Sequence, residues 1–110
     1  METVTLSHTA ALTRLGFALS DETRTRVLLA LRETPATPSD LADALDVTRQ
    51  VMSNQLACLR GCGLVVGTRE GRHTWYRLAD PHIGPALEEL LRVVLFVEPT
   101  CCGPEGCTCS

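Results

Sequence analysis

Apolar positions recur about every 3.6 residues through the first sixty positions and alternate with polar ones after that, so the chain reads as helices followed by a hairpin. The first predicted helix covers residues 7–19, with Ala10, Leu12, Leu15 and Leu19 on one broad face. Ser20-Asp21 supplies a cap for a second helix that runs to about Arg32 and turns Val27, Leu28 and Leu31 toward a core. Thr34-Pro35-Ala36 breaks the pattern. Thr37 then caps a short third helix ending near Leu45, with Pro38 at its first position and Asp40 as the acidic member of a capping box. Asp46-Val47 is a tight connection. Thr48 caps a fourth helix whose end is set by Gly61 to Gly63.

Leu64–Arg69 and Arg72–Leu78 alternate in the manner of strands, and Glu70-Gly71 between them predicts a β-hairpin. Asp80-Pro81 opens a last helix over about His82 to Val97. Its apolar set of Ile83, Ala86, Leu87, Leu90, Leu91, Val94 and Leu95 is wider than one buried face needs. A dimer interface is the simplest second surface. Pro99 ends this helix, and residues 100–110 carry four cysteines, two glycines and a proline with no apolar pattern to order them. The expected fold is mainly α with a small β-hairpin, and dimeric.

With 110 residues, 45% of them apolar, one domain is expected; at 4% aromatic its core must be built from Leu, Val and Ala. No apolar run approaches the length of about 18 residues that a membrane span needs. The opening METVTLSHTAAL lacks the basic and apolar regions of a secretory signal, so a cytoplasmic location is expected. There, six cysteines point to metal or redox chemistry more than to structural disulfides.

A net charge of −3 does not by itself suggest a nucleic-acid partner. Its distribution does: residues 47–78 hold Arg49, Arg60, Arg69, Arg72 and Arg77 against Glu70 alone, a local +4 that leaves −7 for the rest. Every cationic side chain is arginine, which suits bidentate contacts to phosphate and guanine; a coding bias toward arginine accounts for the missing lysine equally well.

Two helices joined by a very short turn and followed by a hairpin make a winged helix-turn-helix, whose second helix enters the major groove by its N-terminal residues. Here these are Thr48, Arg49, Gln50, Ser53 and Asn54, a run of donors and acceptors suited to base edges. Met52, Leu56 and Leu59 face inward, and Arg69, Arg72 and His73 sit at the hairpin tip within reach of phosphate or the minor groove. For any one of these polar residues, plain solvation is the competing explanation; the order of elements favours operator DNA as partner.

Residues 20–78 resemble the ArsR/SmtB family of metal-responsive repressors. The resemblance rests on Ser20-Asp21-Glu22-Thr23-Arg24, Leu41-Ala42-Asp43-Ala44-Leu45, and Ser53-Asn54-Gln55-Leu56 with Leu59. It continues through Gly63-Leu64-Val65, Arg69-Glu70-Gly71-Arg72 and Tyr76-Arg77-Leu78. Gln55 departs from the family, which commonly has His there. The resemblance implies a homodimer with its first and last helices at the interface, bound to DNA when metal-free. On this reading residues 1–98 form the DNA-binding and dimerisation domain and 99–110 a flexible cysteine-rich tail.

Cys58 and Cys62 stand at i and i+4 near the end of the fourth helix, which brings their Cβ atoms within about 6 Å. Two thiolates at that spacing can share a metal ion but do not complete a thiolate site. Cys101, Cys102, Cys107 and Cys109 offer further sulfur, from the same or the other subunit. An all-sulfur set favours soft ions: Cd(II), Pb(II) or As(III). The pair resembles the cadmium- and lead-sensing subgroup, which uses two recognition-helix cysteines and one from the C-terminal region. That makes Cys101 or Cys102 the third ligand and gives Cys107 and Cys109 lesser parts. Cys101-Cys102 with Cys107 is also similar to arsenite sensors with C-terminal sites. Two other family sites are incomplete. Ser39–Asp43 has no cysteine pair, and Val93 and Phe96 stand where Asp80 and His82 would need a second His and a carboxylate.

Competing readings remain at this point. The thiols are small buried apolar residues, or the protein is a cytosolic metal buffer or metallochaperone, or Cys58 and Cys62 form a redox switch. The last is disfavoured because Cβ vectors at i and i+4 are poorly directed for a disulfide. Tail cysteines can also bind metal adventitiously. His8, His73 and His82 are scattered as surface residues are. No acid–base or nucleophile constellation appears, so no enzyme, no small-molecule substrate, no organic cofactor and no membrane partner are expected.

Overall fold

The computed structural model describes residues 6–97, which form five helices and one hairpin. The helices are α1 (His8–Leu19), α2 (Glu22–Glu33), α3 (Pro38–Leu45), α4 (Arg49–Gly61) and α5 (Ile83–Leu90); the strands are β1 (Val65–Glu70) and β2 (His73–Leu78). The four leading helices begin where a hydroxyl or carboxylate can take an orphan backbone N–H. Ser7 accepts from Ala10, Asp21 from Arg24, Thr37 from Asp40 and Thr48 from Val51. Of the capping box expected at α3, the structure shows the arm in which the Asp40 N–H donates to Thr37 Oγ1 (3.2 Å).

The core gathers along α2. Val27, Leu28 and Leu31 meet Leu41 and Ala42 of α3 and Met52, Leu56 and Leu59 of α4, with Ala18, Leu64, Val65, Tyr76 and Leu87 closing the cluster. Truncating any of the large members to alanine costs about 2–5 kcal/mol. α3 stops on Asp46 at φ 55, a left-handed position that Asp tolerates. Val47 and Thr48 then lead into α4, whose axis is thereby turned against α3 in a helix-turn-helix. The hairpin is tied to this unit through the backbone: Ala36 and Tyr76 exchange hydrogen bonds (3.1 and 2.8 Å) between the α2–α3 connection and β2. Gly67 leaves room for the Tyr76 ring, since a Cβ there would lie 3.2 Å from Cε1.

Two expectations are corrected. The hairpin pairs Glu70 with His73, so its loop is Gly71-Arg72, not Glu70-Gly71. Glycine takes the first loop position because the backbone there has φ 61, as tight hairpin turns require. The last helix ends at Leu90 and not near Val97. Ile83, Gly84 and Leu87 touch the core, but Leu90–Val97 lie exposed in the single chain. A helix whose apolar face meets nothing loses its main stabilisation, and Val93, Val94 and Val97 are β-branched and poor helix formers. The expected boundary at 98/99 and Cys101, Cys102, Cys107 and Cys109 fall outside the described residues.

α4 ends in a Schellman motif. Cys62 is the C-cap, Leu64 N–H donates to Leu59 O and Gly63 N–H to Arg60 O (both 3.0 Å), and Gly63 sits at φ 80. An added Cβ meets nothing within 4 Å at either Gly61 or Gly63, so backbone conformation alone separates them. Gly63→Ala is expected to destabilise by about 1–2 kcal/mol. Gly61→Ala, within the helix, is expected to stabilise by about 0.5–1 kcal/mol. Urea unfolding of the two variants at one protein concentration reads the opposite signs.

Candidate nucleic-acid interface and thiol pair

Burial of Met52, Leu56 and Leu59 fixes how α4 is turned about its axis. Arg49, Gln50, Ser53 and Asn54 consequently lie exposed along the opposite side. The structure thus brings the expected groove-facing residues together on one surface. Thr48 is exposed as well, but its hydroxyl already accepts the Val51 N–H (3.1 Å), so its first role is the cap. Gln50 Nε2 donates to Asn54 Oδ1 (3.1 Å), which pre-orients both amides along the helix. Ser53 and Arg49 flank that pair.

On the wing, Arg69, Arg72 and His73 are exposed as expected. Arg69 Nε donates to Gly71 O (3.0 Å) and braces the turn. Arg77 Nη1 donates to Thr68 Oγ1 (2.7 Å) across the strands. The basic residues counted along the sequence therefore belong to the two elements, α4 and the hairpin, that a winged helix presents to a duplex.

Cys58 and Cys62 are both half-buried free thiols on the flank of α4 between its buried and exposed sides. Burial pushes the Cys58 thiol above its ordinary pKa, and the neighbouring Cys62 raises it further; Arg24 opposes the rise. At neutral pH Cys58 is thus a protonated thiol, and a metal ion must displace its proton. Among the described residues no group of three or more His, Cys, Asp or Glu side chains gathers to hold a metal. The pair fits a soft ion by its donor chemistry, and supplies two of the sulfurs such an ion takes.

Sequence reasoning missed one set of residues. Gln55, one turn before Cys58, receives Arg24 Nη1 on Oε1 (3.2 Å) and donates Nε2 to Asp21 Oδ2 (3.3 Å). Asp21 and Arg24 were legible only as a helix start. A half-buried Arg in a first helical turn is the signal that it has a distant partner. At the start of α5, Asp80 accepts from both the His82 backbone N–H (2.7 Å) and ring Nδ1 (2.8 Å), which lowers the Asp80 pKa. His8, His73 and His82 are exposed.

Residues 21–66 match the family described as bacterial regulatory protein, arsR family. The chain is 55% identical over 89 residues to the HTH-type transcriptional regulator CmtR of Mycobacterium tuberculosis, covering 81% of this chain and 75% of that one. The solution structure of that organism's cadmium metal-sensor CmtR superposes with a TM-score of 0.65 at 55% identity, covering 78% of this chain and 90% of that chain. A homodimeric winged helix-turn-helix DNA-binding domain from Mycobacterium bovis superposes with a TM-score of 0.67 at 26% identity, covering 83% and 89%. The hairpin-bearing helix-turn-helix, with its exposed Arg49–Asn54 face, is the fold of these proteins: the chain belongs to the arsR family of bacterial regulatory proteins.

Proposed function

We propose that the protein is a metal-sensing transcriptional repressor that holds operator DNA in its metal-free form and releases it on capturing Cd(II) or Pb(II). One observation carries this reading. Cys58 lies on, and Cys62 caps, the same 13-residue helix that carries the groove-facing residues, so an ion drawing the two thiols together strains the element that meets DNA. The 55% identity to a chain described as a cadmium sensor supports the choice of ion. Cys58 and Cys62 provide two thiolates, and Cys101 or Cys102 provides the third, with Cys107 and Cys109 less involved. The ion supplies a Lewis-acid centre that gathers sulfur; the chain supplies the geometry. As(III) held by Cys101, Cys102 and Cys107 is the alternative to be separated by experiment.

The working form is a homodimer. Leu12 and Phe17 of α1, Leu90 at the end of α5, and Leu91, Val93, Val94, Leu95, Phe96 and Val97 after it are exposed apolar side chains. A groove of about 590 Å³ runs between α1 and α5, lined by Leu12, Leu15, Ile83 and Leu87. A second copy covering it also extends α5. Residues 1–98 then form the DNA-binding and dimerisation body, and 99–110 carry the remaining sulfurs. No described helix is long and apolar enough to cross a membrane. A regulator acting on DNA needs neither a substrate nor an organic cofactor, and its place is the cytoplasm.

Arg49→Ala and Ser53→Ala are each expected to weaken binding by about 1–3 kcal/mol to a duplex that wild type selects from random DNA. Their ultraviolet thiolate-to-Cd(II) absorption should match wild type. Wild-type DNA affinity in both variants would remove α4 from the interface.

Cys58→Ser and Cys62→Ser are expected to bind the duplex normally and to stay bound when Cd(II) or Pb(II) is added. Losing Cys101 or Cys102 blunts the response, and losing both abolishes it. If the Cys58 and Cys62 variants still release DNA while a Cys101/Cys102/Cys107 variant does not, the site lies in the tail and the arsenite reading replaces this one.

A further inference from the structure

Arg24 makes four hydrogen bonds across three elements. Nε donates to Ala18 O (3.2 Å), Nη2 to Phe17 O (3.0 Å) and Ser20 Oγ (3.4 Å), and Nη1 to Gln55 Oε1 (3.2 Å). Its guanidinium also lies over the Phe17 ring, 4.6 Å from the centroid. Both carbonyls belong to the α1 C-terminus, where a cation is favoured; Phe17 O also takes the Ser20 N–H and hydroxyl (3.1 and 2.6 Å). Gln55 closes the circuit through Asp21, whose Oδ2 accepts from the Gln55 amide and from Arg24 N–H (3.0 Å).

The chemistry of this circuit leaves Gln55 one arrangement. A guanidinium can only donate and a carboxylate can only accept, so the amide oxygen must face Arg24 and the amide nitrogen Asp21. Asn is a methylene too short, Glu would oppose Asp21, and an aliphatic side chain can make neither bond. The contact spans 31 residues and joins α4 to the α1–α2 corner. It is also placed beside the thiols: on an ideal helix Gln55, Cys58 and Cys62 fall within about 60° of one another.

We propose that Arg24 is a positioning residue that latches the recognition helix to the end of α1 through Gln55, and that metal capture at Cys58 and Cys62 acts by loosening this latch. The second half rests on the function proposed above; the first does not. In the metal-free protein the latch holds α4 at the angle at which Arg49–Asn54 meet the groove. Coordination gathers Cys58 and Cys62 about one ion on the flank that carries Gln55, one turn from it. The end of α4 is re-angled, and the Gln55 amide is drawn away from Arg24 and Asp21. α1 also carries exposed Leu12 and Phe17, so the latch ties the reading helix to the surface proposed for the second subunit.

The test measures affinity for the duplex selected by wild type, without and with Cd(II), in Arg24→Gln, Arg24→Lys, Gln55→Leu and the Arg24→Gln/Gln55→Leu double variant. Each single variant is expected to lose about tenfold in metal-free affinity, the worth of a charge-assisted hydrogen bond. The double variant should lose no more than either single, because both break one connection. Gln55→Leu should keep its urea midpoint, since Arg24 and Asp21 can then pair with each other, and its Cd(II)–thiolate absorption should reach the wild-type amplitude with Cd(II) bound no more weakly. The fold-change in DNA affinity on adding Cd(II) should shrink in all four. Single variants with wild-type metal-free affinity, additive losses, or full rescue by Arg24→Lys would each overturn the latch. A wild-type protein that keeps its DNA in Cd(II) would instead overturn the proposed sensing.

Discussion

Everything in this structure turns on the burial of Met52, Leu56 and Leu59, each at most 1% exposed. At about 100° per residue, that burial assigns every other position of α4 to a sector. Arg49, Gln50, Ser53 and Asn54 are left outward, while Gln55, Cys58 and Cys62 fall on one flank beside the α1–α2 corner. A helix is stiff over 13 residues, so the three sectors cannot move independently. Packing and the reading and sensing proposed for the other two sectors are therefore a single mechanical problem. The same core sets the wing, because Leu64 and Val65 are buried in it and Ala36 pairs with Tyr76 across the base of the hairpin.

What the sequence made legible was local. Asp21, Thr37 and Thr48 cap their helices through bonds three residues long, and such bonds leave a signature in composition; Ser7, read as the first helical residue, is the cap of α1. The Gly63 stop, the inward triad of α4 and the i,i+4 thiols are local in the same way. The hairpin turn was misplaced by one residue because Glu70-Gly71 and Gly71-Arg72 both contain the glycine; register decides between them, and register is set by β1 against β2. The Arg24–Gln55 contact was illegible, as nothing near either residue names its partner. The metal-site reading divides along the same line: Cys58 and Cys62 are neighbours on a helix, whereas a third sulfur is a question of long-range placement.

The shortened α5 teaches the converse lesson. Periodicity marks an apolar stretch here, and its apolar side chains from Leu90 to Val97 lie exposed in the single chain. Helicity there depends on a surface that one chain does not supply, since intrinsic propensity alone holds few helices of this length in water. A sequence pattern reports the environment of the working assembly, whereas a single chain reports its own. Where the two disagree, the missing environment is the proposed second subunit.

The size of the effect that a repressor needs also says how α4 must act. On the proposed three-thiol site, capture of a divalent ion releases three protons and leaves one added negative charge. That change lowers the local +4 of residues 47–78 by one at most. Losing one phosphate-neutralising charge weakens DNA binding roughly fivefold at 0.15 M salt. A switch from nearly all bound to nearly all free needs a differential affinity of about 10⁴. Charge therefore supplies a minor share, and the remainder must come from geometry: hydrogen bonds to the groove that break together when α4 changes its angle. Two or three such bonds, at about 1–3 kcal/mol each, reach that figure. Helix orientation is thus the quantity that sensing has to control, and the Arg24–Gln55–Asp21 circuit joins α4 to the α1–α2 corner beside the thiols.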